Sequence, residues 1–186
     1  MKSLWPLMLV LWAGTTPAAE VCYPVQTEGG QVRFAVDQDK APFTGNFNRY
    51  GGQVCFHDGV VSHIDAWLEP ASVDTGLPEV DDALRGPLFF ESDCYPRITF
   101  VSNEIRPQEV EGSWIVVGTV TVKDQDYVLE VPFTLRQDES ARRVRGEIDV
   151  ERLRYGIGTG EWSNTEWLGG MVTLHYDVRL GSDAAR

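Results

Sequence analysis

The chain has 186 residues, 42% hydrophobic and 24% charged, enough for one globular domain with a core of its own. Its 28 acidic residues outnumber 16 basic ones and leave a formal charge of -12, so the summed field repels nucleic acid. With 18 glycines and 10 prolines spread along the chain, long uninterrupted helices are disfavoured and a helical bundle with them.

Lys2 precedes an apolar run over residues 4–13, and the small residues Ala13-Gly-Thr-Thr-Pro-Ala-Ala19 follow. That order of charge, grease and small side chains predicts a secretory signal peptide over residues 1–19, cleaved after Ala18 or Ala19. The run falls short of the roughly 20 apolar residues a membrane span needs, and no cysteine follows it as a lipid anchor would require. The reading is a soluble exported protein. Export permits disulfides, and the three cysteines Cys22, Cys55 and Cys94 all follow the leader. An odd count leaves at least one unpaired, and the spacing does not choose among the three possible pairs.

From there the chain alternates between apolar and polar residues almost to its end. Val32, Phe34 and Val36 share a face opposite Arg33 and Asp37. Ile64, Ala66 and Leu68 oppose His63, Asp65, Trp67 and Glu69; Ile98 and Phe100 oppose Arg97 and Thr99. Trp114, Val116, Gly118, Val120 and Val122 form one side of the strongest run, and Tyr127, Leu129, Val131, Phe133 and Leu135 one side of the next. Val144, Ile148 and Val150 oppose Arg143, Arg145, Glu147 and Asp149, and Val172 to Leu180 repeats the pattern. Period two with one greasy face is the mark of antiparallel strands, wet on one side. Turn residues separate the runs at Glu28-Gly-Gly30, Asp58-Gly59, Lys123-Asp-Gln-Asp126 and Gln137-Asp-Glu-Ser140. One helix is expected, residues 78–84, with Pro78 in its first turn and Glu79, Asp81 and Asp82 at its positive end. The expectation is an all-β fold: an antiparallel barrel of about eight strands, residues 20–181, with a short tail at 182–186.

Chemical motifs are sparse. His57 and His63 flank the Asp58-Gly59 turn, and a metal there would need Asp58 or Asp65 as a third ligand; such histidines are more often solvated. No Gly-x-Ser-x-Gly turn and no Cys–His pairing marks a nucleophile. Gly156-Ile-Gly-Thr-Gly160 lacks the helix a phosphate loop needs, and reads as a loop allowing close backbone approach. Arg142, Arg143, Arg145, Arg152 and Arg154 form a basic segment among acids, read as a salt-bridged outer face in preference to a head-group site. No catalytic residue, metal or cofactor is expected.

A series of short motifs resembles the YceI-like family: Gly45-Asn-Phe47, Val73-Asp-Thr-Gly76, Asp82-Ala-Leu-Arg85, Phe89-Phe-Glu91, Tyr95-Pro96, Ile98-Thr-Phe100, Tyr155-Gly-Ile-Gly158 and Gly160-Glu-Trp162. The resemblance spans residues 21–180. It implies a lipocalin-like barrel, periplasmic, whose apolar lumen takes a polyisoprenoid or similar amphiphilic lipid, including quinone-like ones. By that analogy Phe89 and Phe90 wall the pocket beside the short helix, Arg85 lies near its mouth, and Phe34, Phe47, Phe100, Tyr155 and Trp162 line it. Gly118 joins them from the alternation. The chain departs from the family at Lys123-Asp124, where glycine is common, and at Arg154, where an acid is. The function implied is non-catalytic lipid binding or transport, with transient contact to a membrane or to membrane redox proteins. Two alternatives stand beside it: an enzyme acting on a lipid or quinone-like substrate in the same pocket, and a structural module with a filled core.

Overall fold

The computed structural model describes residues 19–137 and 141–182. The expected leader, apart from Ala19, lies outside the described residues, as do positions 138–140 of the last expected turn and the tail beyond Ser182. The strands are β1 (Val21–Gln38), β2 (Ala41–Phe47), β3 (Tyr50–His57), β4 (Val60–Leu68), β5 (Val73–Asp74), β6 (Ile98–Pro107), β7 (Ser113–Val122), β8 (Gln125–Gln137), β9 (Arg142–Glu151) and β10 (Leu168–Leu180). One α-helix, α1 (Pro78–Arg85), and three short 3-10 turns accompany them. All pairings are antiparallel. They close into a ring in the order β1, β3, β4, β6, β7, β8, β9, β10 and back to β1. The expected eight-stranded barrel is present; β2 continues the line of β3 along the second half of β1, and β5 adds outside β2.

Closure rests on β1, the longest strand. Its first residues pair with β3, its later ones with β2, and its other edge with β10 along almost its whole length. Here one expectation is corrected: Glu28-Gly-Gly30 is not a turn between strands. Residues 27–30 bulge out of β1 between the pairs Gln26↔Arg179 and Gln31↔Asp177, with Gly29 at φ 73°. Extra residues on one strand bend it and raise its twist, which is what lets a single strand wrap round a barrel corner. Three true hairpins turn at Asp39-Lys40, Asp58-Gly59 and Lys123-Asp124, each with both central residues at positive φ. That is the type I′ geometry that suits the strand twist. Lys123-Asp124 does it without glycine, and the Lys123 ammonium donates to the Gly156 carbonyl at 3.1 Å, tying the hairpin to the loop after β9.

The helix begins at Pro78, where a missing N–H costs nothing, and carries Glu79 and Asp81 in its first turn. The Asp81 carboxylate, buried, accepts from the Thr75 N–H at 2.8 Å and from the Thr75 hydroxyl at 2.7 Å; Asp74 accepts from the Gly76 N–H at 3.0 Å. The Asp-Thr-Gly motif is therefore a turn locked by side-chain oxygens that aims α1 across one end of the barrel. We refer to this as the helix end.

At the opposite end Cys22 and Cys55 face each other across β1 and β3 and are joined as a disulfide; Cys94 is free and exposed. The bridge links residues 33 apart in sequence, and the entropy of closing such a loop in the unfolded chain is worth about 3–4 kcal/mol. Reduction, or Cys22→Ser with Cys55→Ser, is expected to lower the unfolding free energy by about that much in a urea titration. A thiol reagent is expected to label one cysteine in the native oxidised protein and three after reduction and denaturation; a second labelled thiol in the native state would contradict the pairing.

Candidate functional site: the barrel interior and its two mouths

Strand register decides which side chains enter the barrel. On the β1–β3 wall Val32, Phe34, Val36, Phe47, Tyr50, Val54 and Phe56 are buried, each at most 8% exposed. Across the barrel, Leu129 and Val131 on β8, Ile148 and Val150 on β9, and Val172, Leu174 and Tyr176 on β10 share the inward register, yet all stay half-buried. A solidly packed core would bury mid-strand inward side chains on both walls alike. On the β8–β10 wall most of these mid-height side chains pack against the core clusters yet stay partly exposed, while Phe133, Val144, Val178 and Leu180 of the same wall are buried.

Part of that exposure has a local cause. β8 and β9 pair only over residues 134–137 with 142–145 and then part. Pro132 has no N–H to give, and its carbonyl is taken from inside by the Tyr176 hydroxyl, whose ring passes over Gly146. A Cβ on Gly146 would lie 2.2 Å from the Tyr176 oxygen and 2.4 Å from the Pro132 oxygen, so only glycine fits. Burial pushes the Tyr176 phenol well above its ordinary pKa, keeping it a neutral donor.

The residues expected to line the pocket fall into three groups. Phe34, Phe47 and Phe90 form a chain under α1, with ring centroids 5.7 Å apart at each step. Phe89 packs edge-on against Trp162 at 5.3 Å, and Trp162 leans on the exposed Trp167 at 5.1 Å. Phe100 and Tyr155 stand on the far wall, Tyr155 edge-on to Tyr127 at 4.7 Å with the Arg154 guanidinium 5.8 Å from both rings. Phe34, Phe47, Phe89 and Tyr155 are buried; Phe90, Phe100 and Trp162 are half-buried. Gly118 lies on the inward register, but its space is filled: a Cβ there would sit 2.3 Å from the Phe100 ring and 2.6 Å from the Val101 carbonyl oxygen. Arg85 is anchored. Its Nε donates to Ala71 O and an Nη to Val73 O, both at 3.0 Å, and the other Nη pairs with Asp82.

The basic segment needs correction. Arg143 and Arg145 do pair on the outer face, both with Asp177 at 3.2 and 2.9 Å. Arg152 does not: it is 3% exposed and, among the described residues, has no carboxylate partner. Its five contacts are all backbone carbonyls: Gly169 from Nε, Ile157 and Gly158 from Nη1, Trp162 and Leu168 from Nη2, at 2.7 to 3.0 Å. The whole segment from β9 to β10 is wound around one guanidinium, whose planar fork suits several acceptors at once. Gly158 of the Tyr-Gly-Ile-Gly motif sits at φ 72°, and a Cβ there would lie 2.4 Å from the Arg152 Nη1. The motif is shaped by the arginine, which sequence reasoning placed on the surface.

Sequence reasoning also missed Arg142. It has the inward parity of Val144, and lies at the mouth opposite α1 in a cavity of about 400 Å³ lined by Ala19, Val21, Tyr23, Phe56, Asp58, Gly59, Leu135 and Gln137. Its guanidinium stacks over Tyr23 at 4.2 Å and Phe56 at 5.0 Å.

Two further clusters carry less chemistry. The Ser102 hydroxyl and His63 Nδ1 are 3.1 Å apart, but the Ser102 oxygen also accepts the Ile64 N–H where β4 and β6 separate, the task of a ladder hydrogen bond. His57 contacts only Asp58, at 3.6 Å, so the two histidines are not drawn together. Among the described residues, the one acid–thiol–imidazole group compact enough for a metal is Glu20 with Cys22 and Cys55, whose sulfurs are spent in the disulfide.

The family model for the YceI-like domain matches residues 23–180. The chain belongs to the YceI-like family. Among solved structures it is similar to BcnA of Burkholderia cenocepacia, with 26% identity, a TM-score of 0.79, and coverage of 83% of this chain and 98% of that one. A polyisoprenoid binding domain from Saccharophagus degradans, described as implicated in plant cell wall breakdown, shares the fold at 12% identity and a TM-score of 0.70, over 89% and 99% of the two chains. So does the YceI protein of Campylobacter jejuni, at 18% identity and 0.62, over 76% and 84%. No curated protein matches the sequence.

Arg152 yields a sharp expectation. Arg152→Met strands five carbonyls in a buried site, and Arg152→Lys cannot reach them all from one ammonium. Both are expected to cost about 3–5 kcal/mol of unfolding free energy, as breaking a buried charged network does. Arg145→Met on the surface is expected to cost about 1 kcal/mol or less. Equal losses for Arg152→Met and Arg145→Met in chemical denaturation would refute the hub.

Proposed function

We propose that this protein is an exported, periplasmic carrier that binds a polyisoprenoid or similar amphiphilic lipid without covalent chemistry, its tail in the barrel interior. The observation that carries the reading is the row of inward apolar side chains at mid-height on β8, β9 and β10 that stay only half-buried, facing a buried aromatic wall on β1 to β3. Family membership supports it, since a related domain is named for binding polyisoprenoids. The leader-like first residues support export, and the Cys22–Cys55 bridge agrees with an oxidising compartment.

Magnitudes allow it. Burying a tail of about twenty carbons is worth on the order of 15 kcal/mol at roughly 0.8 kcal/mol per CH₂. Association and ordering cost an estimated 4–15 kcal/mol. Tail burial alone can supply useful affinity, and no catalytic step is needed. Among the inward side chains Tyr176 is already committed to Pro132 O and Tyr155 to Tyr127.

Protein purified from its native host is expected to release a prenyl or other lipid species into an organic extract, read by mass spectrometry. Leu174→Trp, placed among the half-buried inward side chains at mid-wall, is expected to weaken binding of a fluorescent prenyl probe by tenfold or more while the cooperative melt survives. Gly118→Trp is unsuitable, because Phe100 and the Val101 carbonyl occupy its space. A clean extract together with no probe uptake would falsify the carrier reading.

A further inference from the structure

Arg142 is the one arginine or lysine of the described strands that the register turns inward: Arg33, Arg106, Arg136, Arg143, Arg145 and Arg179 all take the outward parity. Arg142 is half-buried at the mouth, and a cation held against apolar side chains there gains from a group that answers its charge. Among the described residues no carboxylate lies within 4 Å of it; its Nε donates to Gln137 Oε1 at 3.3 Å and its face rests on Tyr23 and Phe56. Those two rings are themselves edge-to-face at 5.6 Å, next in sequence to the bridged Cys22 and Cys55, so the platform under the guanidinium is held by a covalent tie.

The surroundings are basic in an otherwise acidic protein. Arg136, Arg143 and Arg179 stand directly opposite one another across β8, β9 and β10 at the same end. Asp177 is shared between Arg143 and Arg145. Asp58, the one acid among the cavity's lining residues, is largely exposed and 3.6 Å from His57, so solvent screens it. At the helix end the corresponding cations are used up: Arg152 by five carbonyls, Arg85 by two carbonyls and Asp82.

We propose that Arg142 anchors an anionic head group, a phosphate or carboxylate carried on an apolar tail, at the disulfide end of the barrel. The inference rests on the carrier reading and adds which mouth holds the head and what charge it bears. A guanidinium stacked on two rings can turn its Nη edge to bidentate contact with such an oxyanion, and the cavity's apolar side, Val21, Phe56 and Leu135, offers the start of the tail an apolar surface.

The test uses two fluorescent probes with the same twenty-carbon prenyl tail, one ending in a diphosphate and one in a neutral alcohol. Wild-type protein is expected to bind the diphosphate about tenfold or more tightly than the alcohol. Arg142→Gln is expected to erase that preference with alcohol binding unchanged within about twofold, and Arg142→Lys to restore part of it, since the charge returns without the fork. Inorganic pyrophosphate is expected to displace the diphosphate probe only at concentrations far above the probe's own. A preference that survives Arg142→Gln, or an equal loss for both probes, overturns the assignment while leaving the carrier reading standing. Displacement by pyrophosphate at matched concentration overturns it too, by making the site one for free anions. Failure of wild-type protein to bind either probe removes the carrier reading, and this inference with it.

Discussion

Ring closure is the constraint from which the remaining structure follows. A sheet of this length has two edges to hide, and it does so by making its first strand serve as neighbour to its last. That demands a strand long enough to line both β3 and β2 on one side and β10 on the other, and bent enough to follow the wall. The bulge at residues 27–30 supplies the bend, and the Cys22–Cys55 bridge pins the strand's start to β3. Once the ring is shut, every apolar face points to one interior, and the hairpins can be as short as the I′ turn allows. Where strands part, the reason is local. β8 and β9 separate at a proline whose carbonyl a tyrosine has claimed, and β4 and β6 separate at a bulge where Ser102 substitutes for the ladder.

The two ends of the ring are finished by different physics. At the helix end the cover is made of segments with no regular ladder of their own, so their carbonyls need donors. Two arginines meet that need: Arg85 reaches back to residues 71 and 73, and Arg152 gathers five carbonyls from residues 157 to 169. Aromatic pairs fill the space between. This end is a lid held by buried charge satisfied entirely by backbone, a strong arrangement provided no donor is lost. Among the described residues the disulfide end has no such cover. There the strands simply stop, and an apolar rim with one inward arginine meets solvent.

Alternation along the strands made the barrel legible from the sequence, because each of β7 to β10 keeps strict period two over a full wall height and a one-residue slip would expose every inward side chain. The helix was legible for a similar reason, with proline and acids collecting at one terminus. Two kinds of information were not. Glycines announce positive φ without saying whether the chain then reverses or merely bulges, so Glu28-Gly-Gly30 read as a turn although it bends a continuous strand. Arginines announce charge without saying what answers it, so Arg152 read as one member of a solvated cluster. Its true partners are carbonyls, which leave no mark in a sequence. Arg142 was different: its parity with Val144 was there to be read, but a run of neighbouring arginines drew attention to the group's charge and away from the phase of one member. Pairing of the cysteines needed the register of β1 against β3, a contact made across 33 residues of intervening chain.

The unequal packing of the two walls bears on what such an interior can distinguish. The β1–β3 wall is aromatic, interlocked and buried, so it offers a fixed surface. The β8–β10 wall mixes aliphatic side chains with Tyr127, Phe133 and Tyr176, is partly exposed at mid-height and, where β8 leaves β9 near Pro132, is not laced to its neighbour strand, so its rotamers are less constrained. A rigid face opposed by a yielding one accepts chains of varied branching and rejects mainly on girth, because dispersion contacts accumulate wherever methyl groups meet the adjustable wall. Phe100 is laid across the glycine at position 118 and fills the space beside it. Discrimination by chemistry has to come from polar groups, and inside this barrel those are few: tyrosine hydroxyls already bonded or packed, and one cation at the uncovered rim. Selectivity for the tail is thus written in volume along the wall, and selectivity for the head can be written only where charge meets water.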